Sequence, residues 1–245
     1  MDDKRRLRSA IRAARVARAA LAADLAGELA ATHGYGKSET AAQGHDKQGD
    51  GKQGHDKQGV DQQGDANGAI TANLVALTER SGAQRVSCFV GVAGEPDTSE
   101  YLRWASGQGI EVLLPRVLPG DLLEWVPYRP DCFAIGAFGI PEPTGPASPE
   151  GAADAAELLF VPAAAVDLQG NRLGWGRGFF DRELARLAGR GDAGDDAGGG
   201  ACHRTPQEVY AVVWESEVLD TNLPTEAHDV AVHGAVTEAR IHHFG

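Results

Sequence analysis

The sequence predicts a layered α/β fold, a largely parallel sheet flanked by helices in a Rossmann-like three-layer architecture. Three observations carry the prediction. Short apolar runs alternate along the chain with helix-patterned segments. One of those runs leads into a glycine-rich loop that opens a helix, the place where parallel sheets hold their ligands. With two polar stretches set aside, about 195 of the 245 residues remain, enough for one substantial core.

Each element has its own reason. Residues 4–31 carry Leu7 and Ile11 four apart and again Leu21, Leu25 and Leu29 four apart, with alanine between them, which makes this segment a helix. Residues 34–68 contain no Leu, Ile, Phe, Trp or Met and nine glycines, and Gly-His-Asp-Lys-Gln-Gly occurs at 44–49 and again at 54–59. So polar a stretch buries too little apolar area to offset the entropy of ordering it, and it reads as a disordered insertion. His45 and His55, beside aspartates, suit weak metal binding; a slipped-repeat linker suits the composition better. Residues 69–80, with Ile70, Leu74 and Leu77, form a second helix, and Arg85–Val92 reads as a buried strand. Thr98–Gly107 is a helix with Thr98 as its cap. Strands follow at Ile110–Leu114, closed by Pro115, and at Leu122–Tyr128, before a Pro/Gly loop over Gly136–Pro149. Leu158–Val161 is a strand, Phe179–Leu187 a helix, and Val209–Trp214 and Val232–Thr237 are further strands. Residues 189–203 form the second polar insertion. The expected organisation is therefore a single domain over 1–245, interrupted at about 34–68 and 189–203.

Composition excludes several classes. No apolar run approaches the length of a membrane-spanning helix, and the N-terminus lacks the continuous apolar stretch of a signal peptide. Cys88, Cys132 and Cys202 have no short spacing, which argues against a disulfide framework or a Cys-rich zinc site; Cys88 reads as a small core residue. The net charge of −12 argues against a general nucleic-acid binder. Residues 1–18 nevertheless hold seven Lys/Arg against two Asp, a basic head on an acidic chain. His33, His203, His233, His242 and His243 have no partners at metal spacing.

The densest chemical signal lies at residues 161–182. A strand runs into Gln169-Gly170-Asn171-Arg172-Leu173-Gly174-Trp175-Gly176-Arg177-Gly178, and Phe179-Phe180-Asp181-Arg182 then opens a helix. Alternating glycines let backbone amides approach a ligand, a helix N-terminus favours an anion, and Arg172 and Arg177 have the right sign for phosphate. The glycine spacing is not that of a dinucleotide-binding loop, and Gly-Lys-Ser/Thr is absent. Trp175, flanked by glycines, is either a core anchor or a stacking platform for a planar ligand.

This segment resembles the signature of the 5-formyltetrahydrofolate cyclo-ligase family, Val-Pro followed by Asp and then Gly-x-Arg-Leu-Gly-x-Gly-x-Gly-aromatic-aromatic-Asp-Arg. Further landmarks are similar and fall in the family's order: Lys4-Arg5-Arg6-Leu7-Arg8, Glu95-Pro96-Asp97-Thr98, Val112-Leu113-Leu114-Pro115, Phe138-Gly139-Ile140-Pro141-Glu142-Pro143, Leu223-Pro224 with Glu226 and His228-Asp229-Val230, and Val236-Thr237-Glu238. The resemblance spans about 1–31 and 69–245. Phe180 stands where the family commonly has Tyr, Pro96 replaces an apolar residue, and Arg177 stands where many members have Gly or Lys.

What the resemblance implies is an ATP- and Mg²⁺-dependent ligase of one-carbon metabolism. It would close 5-formyltetrahydrofolate to 5,10-methenyltetrahydrofolate through a phosphorylated formyl group, releasing ADP and phosphate. Lys4, Arg5 and Arg8 would contact ATP phosphates; by themselves Lys4 and Arg8 read as a solvated charged helix face. Arg172, Leu173, Gly174, Trp175, Gly176, Arg177, Gly178, Phe179 and Phe180 would form the nucleotide loop, with Arg177 reaching the transferring phosphate as the catalytic cation. Val90, Glu95, Ile140, Pro141, Glu142, Pro143 and Trp175 would line the folate site, Glu95 bonding the pterin ring. Asp181 and Asp229 would be the magnesium carboxylates; alone, each reads as a helix-dipole or turn-capping residue. The implied partners are small molecules, ATP and a reduced folate, with neither nucleic acid nor membrane, for a cytoplasmic monomer. Two rival readings remain open at the level of sequence: an ATP-binding relative with a different acceptor, and a non-catalytic binding or regulatory module whose working part is the 34–68 repeat.

Overall fold

A computed structural model describes residues 2–32, 62–92, 94–120, 122–136, 138–191, 207–226 and 229–245. In chain order the elements are α1 (Asp2–Thr32), α2 (Gln62–Ser81), β1 (Arg85–Ser87), α3 (Ser99–Gly107), β2 (Glu111–Leu118), β3 (Leu122–Pro127), β4 (Phe133–Ile135), β5 (Pro141–Pro143), β6 (Leu158–Pro162), β7 (Ala165–Asp167), β8 (Arg172–Leu173), α4 (Phe179–Gly191), β9 (Glu208–Val212), β10 (Val218–Leu219), β11 (Gly234–Val236) and β12 (Ile241–His243).

Seven strands form the central sheet in the order β12-β11-β9-β6-β1-β2-β3. Its five inner strands run parallel, while β3 and β12 close the edges antiparallel. The period-two alternation of a strand divides the sheet's side chains between two layers. On one face Val112, Leu114, Leu158, Phe160, Tyr210 and Val212 meet Ile70, Leu74 and Leu77 of α2 and Tyr101, Leu102 and Ala105 of α3. On the other, Leu159, Val161, Val209 and Ala211 meet Leu184 of α4. A small sheet, β10-β7-β8, carries α1 through Ile11, Ala164, Ala165, Leu173 and Leu223. The molecule is thus the expected three-layer α/β arrangement. Cys88 lies fully buried, its Sγ turned to the Phe89 carbonyl, and burial pushes its thiol pKa up to about 12.

Several sequence expectations need correction. Helix α2 begins at Gln62, not at residue 69, so part of the expected polar insertion is helical. Ala66 packs against the core and Asn67 Oδ1 accepts the Asp97 amide at 3.0 Å, contacts that offset a Gly-rich start. Residues 33–61, including His45, His55 and both hexapeptides, lie outside the described residues, as do 192–203 of the second polar stretch, because α4 continues to Gly191. The expected strand 85–92 pairs over Arg85–Ser87 and then leaves the sheet. The Thr98 hydroxyl donates to the Phe89 carbonyl at 2.6 Å, and Gly91 runs so close to Pro96 that a Cβ would sit 2.1 Å from its oxygen. Pro115 does not end its strand. Pairing of β2 with β1 stops at Leu113, so a missing amide on that side loses no ladder bond, and β2 runs on beside β3 with Pro115 opposite Trp125. Part of the expected 136–149 loop is strand: β5 pairs with β4 in a two-stranded ribbon.

Candidate active site

The glycine loop is fixed from beneath by a buried acid. Asp167, fully buried at the end of β7, accepts the backbone amides of Gln169 (3.0 Å), Asn171 (2.8 Å) and Leu223 (2.8 Å) and the Asn171 side-chain amide (2.9 Å). That acceptor holds the turn that delivers β8. Leu173 is buried against Ile11 and Leu223, so its side chain anchors the loop and the Arg172 side chain is left to the other face. Beyond it Gly176 and Gly178 take φ of +97° and +72°, a backbone region that side chains rarely enter. The loop then becomes the first turn of α4. Arg8 of α1 caps it from outside, its Nε donating to the Gly174 carbonyl at 2.7 Å.

Two carboxylate–cation pairs flank this loop. Arg172, with its side chain 4% exposed, is ion-paired to Asp181 of α4 and also donates to the Pro162 carbonyl at 3.4 Å. Burial lowers the Arg172 pKa, while the charges of Asp181 and Asp229 oppose that shift. Lys4 donates to Asp229 at 3.3 Å and to Glu226 at 3.2 Å. Burial works against the Lys4 ammonium, but these hydrogen bonds hold its pKa above the ordinary value. Asp229 also accepts the Glu226 amide at 2.8 Å, so it closes a turn as well as pairing with Lys4. The second Asp181 oxygen faces the glycine loop, 3.7–3.8 Å from where a Cβ would stand on Gly174 or Gly178.

The Arg172–Asp181 pair borders a cavity of about 680 Å³, inside the ~300–1,000 Å³ typical of small-molecule sites. One wall is the loop and helix start: Arg172, Gly174, Trp175, Arg177, Gly178, Phe179, Phe180 and Asp181. The opposite wall comes from the segment after β1, with Phe89, Val90, Val92, Gly94 and Glu95. Ile140, Pro141 and Glu142 of the β4–β5 ribbon close a third side. Glu95 accepts the Trp175 indole N–H at 2.7 Å and the Val92 amide at 3.1 Å, which ties the two main walls together. Burial raises the Glu95 pKa, against the Val92 amide, the Arg15 charge and the Trp175 N–H. Across the mouth, the Arg177 guanidinium lies 3.7 Å from the centre of the Phe138 ring, and Phe138 packs on Phe179 at 5.8 Å. The edge of Phe180 meets Trp125 at 6.5 Å where the core clusters join.

The structure therefore brings most of the expected residues to one cavity. Lys4, Arg5, Arg8, Leu173, Gly176, Pro143 and Asp229 stand outside its lining. Arg8 bonds the loop at Gly174, Lys4 and Asp229 pair with each other beside Glu226, Arg5 is exposed, and Pro143 is buried in β5. Arg12 and Arg15, which also line the cavity, were missed by sequence reasoning. Their signal was present: Lys4, Arg8, Arg12 and Arg15 follow one face of a helix. Phe138 falls within the Pro/Gly loop of the sequence reading, which gives no sign of its role as a platform for Arg177.

Comparison with known proteins identifies the family. Residues 52–238 match the model of the 5-formyltetrahydrofolate cyclo-ligase family. The chain belongs to that family. Among cyclo-ligase relatives, the 5-formyltetrahydrofolate cyclo-ligase of Mycolicibacterium smegmatis is 35% identical over 161 residues, 63% of this chain and 74% of the relative. That of Haemophilus influenzae is 32% identical over 122 residues, 49% of this chain and 65% of the relative. The NMR structure of Aquifex aeolicus 5,10-methenyltetrahydrofolate synthetase superimposes with a TM-score of 0.54 at 26% identity, covering 72% of this chain and 80% of that one. Helix α1, which brings Arg12 and Arg15 to the cavity, precedes the matched span. No helix among the described residues is long and apolar enough to cross a membrane.

Proposed function

We propose that this chain, a single catalytic domain, cyclises 5-formyltetrahydrofolate to 5,10-methenyltetrahydrofolate at the expense of ATP. The observation that carries the reading is one cavity with two chemistries. Cations and a glycine-rich helix start lie on one wall, and a buried carboxylate bonded to an indole on the other. The formyl oxygen attacks the γ-phosphorus and ADP leaves. Nitrogen 10 then attacks the formyl carbon of the resulting iminium phosphate, loses its proton, and phosphate departs as the ring closes. The protein has to align two substrates and neutralise phosphate charge.

In this reading Arg177 stabilises the transferring phosphoryl group, and the amides of the 174–178 loop with the α4 N-terminus hold ATP phosphates. Lys4, Arg5 and Arg8 add positive charge behind that loop. Glu95 accepts the donor edge of the pterin, Trp175 walls it, and Val90 and Ile140–Pro143 shape the pocket around the formyl group. The donor set fits magnesium: Asp181 turns an oxygen toward the loop, and Mg²⁺ usually takes just one or two protein carboxylates beside ATP phosphates. Asp181 and Asp229 are the residues that would hold it, and the ion, when bound, supplies charge for the phosphate oxygens. Among the described residues no group of three or more His, Cys, Asp or Glu could hold a metal ion by itself. The enzyme acts on small molecules in the cytoplasm as a monomer.

The test mixes the full chain with 5-formyltetrahydrofolate, Mg²⁺ and ATP and follows the near-ultraviolet band of the methenyl product. ATP-dependent growth of the band is expected. Turnover with a different folate and none with this one would overturn the acceptor assignment. For the metal, Asp181→Asn should demand far more Mg²⁺ for the same rate; an unchanged Mg²⁺ dependence would remove Asp181 from that role.

A further inference from the structure

Arg15 is 3% exposed and joins four segments of the chain at the cavity wall. Its Nε and Nη2 grip the two oxygens of Glu217, each at 2.7 Å, and Nη2 also donates to the Ala163 carbonyl at 3.0 Å. Glu217, 4% exposed in the turn after β9, is locked in its own place by the Trp214 amide at 3.1 Å. That leaves Nη1. It makes no hydrogen bond among the described residues and lies 3.7 Å from Glu95 Oε1, the atom that accepts the Trp175 indole. The same guanidinium covers the Trp175 ring at 4.6 Å. One buried cation, fixed by Glu217, thus faces both members of the Glu95–Trp175 pair.

We propose that Arg15 is a positioning residue for this wall, holding the Glu95 carboxylate and the Trp175 indole in the arrangement that receives the substrate ring, without touching substrate itself. The proposal rests on the reading of Glu95 as the ring-binding carboxylate. Its physical basis is the cost of a buried carboxylate, which needs compensating charge and hydrogen bonds to stay where it is. The charged groups that face Glu95 are Arg15, which favours its ionised form, and Glu217, which opposes it; Val92 N–H and Trp175 supply neutral donors. A planar guanidinium suits this double duty, gripping one carboxylate in a fork while its carbon stays 4.6 Å from the centre of the indole ring. An ammonium could not do both.

The experiment is a mutant cycle on the full chain, reading KM for 5-formyltetrahydrofolate, KM for ATP and kcat separately. Arg15→Gln is combined with Glu217→Gln so that no unpaired carboxylate is left behind. The pair should raise the folate KM ~10-fold, the size of one lost interaction with a charged group, and leave the ATP KM within ~2-fold. In the Glu95→Gln background the same pair should raise the folate KM no further, because Arg15 acts through Glu95. An equal rise in both backgrounds, or an equal rise in the ATP KM, would mean general packing and overturn the proposal. Should the paired variant fail to fold, Arg15→Lys runs the same cycle. It keeps the charge but not the fork, and a ~3-fold rise in folate KM that disappears in the Glu95→Gln background is expected. No rise with Lys overturns the proposal. Glu95→Gln alone separates the two layers of the argument: an unchanged folate KM there defeats the ring-binding reading itself, whereas a raised one with no effect at Arg15 defeats the Arg15 link alone.

Discussion

At one end of the cavity Arg15, Glu217 and Glu95 are each less than a tenth exposed and hold one another in place, with Trp175 bonded to the last of them. At the other, Arg177 is exposed and lies across Phe138, which is itself 37% exposed. Both ends present arginine beside an aromatic ring, yet the physics differs. Burial makes each charge at the first end dependent on its partner and commits it to one geometry. At the second end water screens the cation and the aromatic face fixes little beyond its approach. A wall that must read the shape of a ring benefits from commitment. A cation that meets a phosphate arriving and leaving with the nucleotide benefits from access.

Substitutions can break this contrast or sharpen it. The largest effect on stability is expected from Arg15→Ala, which strands the buried Glu217 carboxylate and should cost about 3–5 kcal/mol in denaturant unfolding. Arg177→Ala should do the opposite, lowering kcat ~100-fold or more while the unfolding midpoint hardly moves. If Arg177→Ala unfolds the protein as Arg15→Ala does, the two ends are not built differently. A smaller effect belongs to Phe138→Leu, which removes the ring under Arg177 and should weaken its placement by about 0.5–1 kcal/mol, seen as a few-fold fall in kcat/KM for ATP. The smallest concerns Glu95 and pH. Burial holds its pKa above the ordinary 4.5, so the ionised form burdens the folded state as pH rises past that value. Thermal unfolding should therefore find Glu95→Gln more stable than the parent at neutral pH, with the gain disappearing below pH 4.5. A gain that instead grew on acidification would show that the carboxylate is net stabilising.

Much of this was legible in the residues. The apolar run Leu158–Val161 reads as a strand, and in the fold Leu158 and Phe160 go to one face and Leu159 and Val161 to the other, as a central strand buried on both sides requires. The loop of 170–178 could be located because its glycines lie between a strand and a helix; glycines alone also suit a plain turn, and the resemblance of 161–182 to the family signature gives the loop its reading. What escaped reading was set by contacts distant in sequence. Nothing local shows that Pro115 can sit in a strand; that depends on the pairing of β2 with β1 stopping at Leu113. Nothing near Gln62 predicts a helix, whose start is held by Asn67 against Asp97. Arg15 looks like one more charge on a basic helix until Glu217, 202 residues away, arrives to bury it. Phe138 likewise acquires its role from a neighbour on another segment.

That separation of 202 residues has a consequence for how the protein is made. At the ~5–20 residues per second of ribosomal synthesis, α1 must wait roughly 10–40 s before Glu217 emerges to receive it. Throughout that interval the nascent chain carries a cationic, half-apolar helix with no docking place of its own, and the docking surface from Ala164, Leu173 and Leu223 is completed late as well. Helix α1, synthesised well before its partners, is thus among the last elements to be seated, and a chain arrested before β9 would keep α1 undocked however well the rest of the sheet had formed.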